Sequence, residues 1–65
     1  MNQDEVAKIL KKAGWIDTGK GKGSHKVFIS PDGKAVTTVP KPKTADIPPG
    51  TLAKIRKQTG TKEIK

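Results

Sequence analysis

Apolar positions along residues 2–13 fall at Val6, Ile9, Leu10 and Ala13. This is the i, i+3, i+4, i+7 spacing of one helical face. Asn2 or Asp4 is placed to cap the start, and Asp4 and Glu5 sit where the helix dipole favours anions. Lys8, Lys11 and Lys12 occupy the other face and the last turn, and Gly14 stands where a left-handed residue closes a helix. Residues 15–18 are short, aromatic and β-branched, and predict an edge strand. Residues 19–23, Gly-Lys-Gly-Lys-Gly, break the pattern and predict a basic loop. Residues 24–30 contain His-Lys-Val-Phe-Ile and read as a second strand. The Ser-Pro-Asp-Gly of residues 30–33 places Pro and Gly as a turn requires. Residues 35–39, rich in Val and Thr, then return as the antiparallel partner, which Pro40 ends by removing a ladder donor.

Residues 41–50 hold Pro42, Pro48 and Pro49 and predict a connector, with Ile47 as its anchor to the core. Leu52, Ala53 and Ile55 mark the inner face of a second helix over 51–59, with Lys54, Arg56 and Lys57 outside. Its start is open between Pro49 at the first helical position and Thr51 as cap. Gly60 stops it, and residues 61–65 are expected to fray. The order helix, three strands, helix predicts a two-layer α+β domain. Two helices pack on one face of a three-stranded antiparallel sheet.

Composition narrows the function. The 65 residues carry 14 Lys and Arg against 6 Asp and Glu, a net charge of +8. A field of this sign draws polyanions, and nucleic acid is the foremost, because each neutralised phosphate releases counterions. With no Cys and one His, no disulfide framework, thiolate zinc site or Cys nucleophile exists, and neither a metal site nor a cofactor is expected. No apolar run approaches the roughly 20 residues of a membrane span or resembles a secretion signal. The chain is therefore expected to be soluble and cytoplasmic, with no membrane partner.

Three local patterns bear on chemistry. Gly14-x-x-x-x-Gly19-Lys20 imitates a phosphate loop but fails at Gly21, where Ser or Thr should follow the Lys, and it follows a helix rather than a strand. The 19–23 loop is better read as a phosphate cradle, since its glycines let backbone approach closely and Lys20 and Lys22 supply charge. Trp15 and Phe28 are the only rings and are expected in the core, which disfavours base stacking on an open sheet. His25 follows Gly23-Ser24 at the start of a strand, where an imidazole could meet a phosphate held by Lys20, Lys22 and Lys26. RNA carries its own nucleophile in the 2′-hydroxyl, so a positioned proton carrier and positive charge suffice for cleavage. The plain alternative for a lone His is an ordinary surface residue.

Taken together, Gly14-Trp15, Gly23-Ser24-His25, Pro31-Asp32-Gly33, Val39-Pro40 and Gly50-Thr51-Leu52, with Ile55, Lys57, Gln58 and Gly60, resemble the HicA-type (YcfA-like) toxins over nearly the whole chain. The resemblance implies a double-stranded-RNA-binding-domain-like fold. It also implies an mRNA interferase that cleaves without a metal and halts translation, and a HicB-type antitoxin partner. It marks His25 as the catalytic residue, with Gly23, Ser24 and Lys26 at matching positions around it. Two departures stand out. Where many relatives place a further His after Val-Pro, this chain has Lys41, Pro42 and Lys43, and its connector ends in Pro48-Pro49. The competing reading is a non-catalytic basic RNA-binding module of the same fold. A third is a protein that binds only an acidic protein partner.

Overall fold

The computed structural model describes residues 1–21, 25–44 and 46–64. The order is α1 (Gln3–Lys12), β1 (Ile16–Asp17), β2 (Lys26–Ile29), β3 (Val36–Val39) and α2 (Pro49–Thr59). The three strands form one antiparallel sheet in the order β1-β2-β3. Helix α1 packs against β1 and β3, and α2 packs against β3. This is the expected α+β arrangement.

Helix α1 starts on a capping box. The Asn2 side chain accepts from the Glu5 amide at 2.9 Å, and the Glu5 carboxylate accepts from the Asn2 amide at 3.0 Å, satisfying two otherwise orphaned donors. The helix ends by a paired closure in which the Trp15 amide donates to the Leu10 carbonyl (2.9 Å) and Gly14 to Lys11 (3.1 Å). Gly14 makes this possible with φ 95°, a region that costs other residues a Cβ clash. The closure turns Trp15 inward beside Leu10, and both are buried. The buried side of α1 is Gln3, Val6, Ala7 and Leu10, with Ile9 half-buried. Ala13, expected on the inner face, is instead an exposed C-cap, because the chain leaves the helix there. Gln3 is the polar member of the buried side, and its amide donates to the Val39 carbonyl at 3.1 Å.

The β2–β3 turn follows its expected chemistry. Gly33 donates to the Ser30 carbonyl at 2.9 Å. The Ser30 hydroxyl donates to Asp32 and accepts from the Lys34 and Ala35 amides at 3.1 and 2.9 Å. Asp32 also accepts from the Lys34 amide at 3.0 Å. The register sets Phe28 against Thr37 and Lys26 against Val39. Phe28, Thr37 and Val39 are buried under the helices, while Ile16, Ile29 and Val36 share the opposite parity.

Helix α2 begins at Pro49 as its first residue, after Pro48. Proline suits that position because its missing donor would be unpaired anyway. Leu52 and Ile55 face the core. The connector is tied down at Ile47, which is buried and whose amide donates to the Met1 carbonyl at 2.8 Å, while Asp46 bridges Asn2.

The expectation of a frayed end over 61–65 is corrected for the described part. Thr61 and Ile64 are buried, Ile64 completely so. The Arg56 guanidinium donates to the Ile64 carbonyl at 3.3 Å. Burial of the Ile64 side chain offsets part of the chain entropy that docking the segment costs. Lys65 lies outside the described residues.

Candidate functional site

The region singled out by sequence is the connection between β1 and β2. Strand β1 is only two residues long because side chains take over its backbone partners. Asp17 accepts from the Gly19 amide at 3.0 Å. The Thr18 hydroxyl donates to the Val27 carbonyl (3.0 Å) and accepts from the Lys20 amide (3.2 Å). The Thr18 amide also donates to Val27 at 3.0 Å. These bonds fix the departure of the basic loop from the sheet and hold the Lys20 backbone in place.

The pairings Ile16–Ile29 and Asp17–Phe28 are continued by the Thr18–Val27 bond, and beyond it Gly21 is the residue brought against His25. The chain is tight at this point. A Cβ built on Gly21 would collide with the His25 carbonyl oxygen, so only glycine lets the two backbones come this close. His25 is exposed, at the mouth of the hairpin and directly before β2. Its accessibility suits contact with a macromolecular substrate. Lys22, Gly23 and Ser24, also expected at the site, lie outside the described residues.

Lys26 is half-buried and turns toward α1. It lines a shallow depression of about 290 Å³ together with Lys8, Lys11, Asp4 and Glu5. Strand alternation explains this, since Lys26 has the parity of Phe28. The expected lysines therefore divide. Lys20 is exposed on the basic loop, and Lys26 joins the helix lysines. The grouping of Lys8 and Lys11 with Lys26 was visible in sequence only as an outward lysine face; the strand partner came from the fold.

Lysines outnumber carboxylates in the lining of the depression, and of the two carboxylates Glu5 is engaged in the capping box. Asp32, on the β2–β3 turn, has a displaced titration. Its carboxyl is held below the ordinary aspartate range by the Ser30 hydroxyl and then by the Lys34 amide, since both hydrogen bonds favour the charged form. It lies on the β2–β3 turn, at the opposite end of β2 from His25. Among the described residues no three His, Asp or Glu side chains gather as metal ligands, and no helix is long and apolar enough to cross a membrane.

The geometry offers an imidazole on the surface, an exposed lysine on the same connection and a depression lined by three lysines and two carboxylates on the helix side. That combination can engage a phosphodiester backbone. The family model of the HicA toxin of bacterial toxin–antitoxin matches residues 4–61, which spans α1 through the end of α2. No curated protein and no solved structure matches the chain. The family is generally one of mRNA-cleaving toxins, and with the match running through every element of the fold, this chain belongs to the HicA toxin family.

Proposed function

We propose that the chain is an endoribonuclease toxin that cleaves mRNA without a metal, uses His25 as general acid/base, and is neutralised by a HicB-type antitoxin. The observation that carries this reading is the exposed His25 at the mouth of a lysine-bearing hairpin, in a chain of net charge +8 that belongs to the HicA toxin family.

The chemistry follows from the substrate. The 2′-oxygen of a ribose attacks the adjacent phosphorus, its proton passing to a base, as the P–O2′ bond forms. The P–O5′ bond breaks as the leaving oxygen gains a proton. His25 carries one of these transfers. Lys20 and Lys22 bind phosphate and offset the charge that builds on the non-bridging oxygens, while Lys26, with the helix lysines, binds the RNA backbone away from the reacting phosphorus. Gly23 and Ser24 supply close backbone approach to the phosphate. RNA provides the nucleophile, so no metal-activated water is required.

His25→Ala tests the reading directly. Removing a general acid/base lowers cleavage by about 10²–10⁴-fold. The assay is cleavage of a defined mRNA by purified protein in chelator, beside growth arrest on expression. Equal cleavage by both proteins would remove His25 from the chemistry. Retained RNA binding with no cleavage by either protein would instead favour a binding module.

A further inference from the structure

The sheet has two faces, and only one is covered by helices. On the other, the register aligns Ile16, Ile29 and Val36 in a single row across all three strands. Ile16 and Val36 are each 57% exposed and are the exposed large hydrophobic residues among those described. Every other large apolar group is at least half-buried. Concentrating the exposed apolar surface in one row marks an interaction site more than scattered exposure does. The row is β-branched throughout, which gives it a stiff, flat relief.

Charge decides among occupants. A second copy would bring +8 against +8, so self-association is opposed over the whole surface. RNA is a poor match, because the row presents no cation or donor, and both rings of the chain are buried rather than available for stacking. What remains is a protein with an apolar strip and a negative surface, matched to the net charge of +8 and to the exposed Lys34 two positions before Val36. A toxin of a toxin–antitoxin pair has a protein partner to fill that place.

We propose that the open sheet face, centred on Ile16, Ile29 and Val36, is the docking surface for an acidic antitoxin. This rests on the reading that the chain is held by an antitoxin, and it locates the grip. The row crosses the sheet at the start of β1, the end of β2 and the start of β3, beside the β2–β3 turn and at the far end of β2 from His25. A partner seated on it grips the open face from that end, and leaves the Lys8, Lys11 and Lys26 depression on the helix side untouched.

The test uses the protein encoded by the reading frame adjoining the toxin gene, purified and titrated against wild type, Ile16→Ser/Val36→Ser and Lys8→Gln/Lys11→Gln. The serine pair is expected to weaken binding about 10- to 100-fold, from the apolar area withdrawn, and to cleave RNA at the wild-type rate when free. The glutamine pair is expected to bind the partner as wild type does. Partner binding unchanged in the folded serine pair overturns the proposal while leaving the nuclease reading intact. No binding by wild type overturns both this proposal and the antitoxin reading, and the His25→Ala assay still stands alone. Methyl resonances of Ile16, Ile29 and Val36 in the wild-type protein provide a second measurement independent of any variant. Their shift on adding partner supports the proposal, and their invariance overturns it. Dimerisation of the toxin alone that the serine pair abolishes, or RNA-induced shifts confined to these methyls, also overturns it.

Discussion

At the scale of single residues, the site depends on groups with no chemistry of their own. Gly21 is one. Its missing side chain lets the backbone pass against the His25 carbonyl, so Gly21→Ala is expected to push His25 from its position. Small displacements of a catalytic group are costly, and cleavage should fall about 10-fold or more, with the thermal midpoint little changed. Full activity in Gly21→Ala, read in the same assay, would show that this approach does not set His25. Asp32 acts on stability rather than chemistry. Its carboxyl titrates below the ordinary range because the Ser30 hydroxyl and the Lys34 amide bind the charged form. A depressed carboxylate stabilises the fold at pH above its unfolded value, and that contribution fades as pH falls through the lower folded value. Between about pH 5 and about pH 2, wild type should therefore lose stability faster than Asp32→Asn. Parallel melting curves across that range would contradict the assignment.

The elements hold one another by a small number of long-range contacts. The periodicity of α1, the hairpin with its Pro-Asp-Gly turn and the Leu52–Ile55 face of α2 were all legible in sequence, because each is a local pattern. The boundaries were less so. Thr18 and Asp17 shorten β1 by binding backbone groups, and Pro49 opens α2 two residues before the alternative Thr51 cap. The docking of the C-terminal segment leaves no local signal in the sequence. Thr-Lys-Glu-Ile has no periodicity, so nothing local shows that Ile64 enters the core. The structure buries it completely, with Arg56 on its carbonyl. Ile64→Ala is expected to cost about 2–4 kcal/mol, a large part of the stability of so small a domain. A urea midpoint that moves by less than about 0.5 kcal/mol in equivalent free energy would mean that the segment is not docked in solution.

For the whole molecule, the faces have different characters. The helix side gathers Lys8, Lys11 and Lys26 in one depression, while the open sheet presents Ile16 and Val36. RNA affinity is therefore expected to depend steeply on salt. Replacing Lys8 and Lys11 by Gln should weaken binding evenly across RNA sequences. Each lost phosphate contact should reduce the slope of log affinity against log salt by about 0.7–0.9. A titration at several salt concentrations reads this, and an unchanged slope would place the RNA track elsewhere.

The sequence by itself determined the element order, the excess of cations and the placement of a lone histidine beside a glycine–lysine loop. These follow from residue spacing and composition, which act over a few positions or over the whole chain. Tertiary structure decided which lysines meet, that Ile64 belongs to the core, and that Ile16, Ile29 and Val36 line up on an uncovered face. Those outcomes depend on strand register and on which side of the sheet the helices take. Both are settled by packing between segments far apart in the chain, where no local pattern reaches.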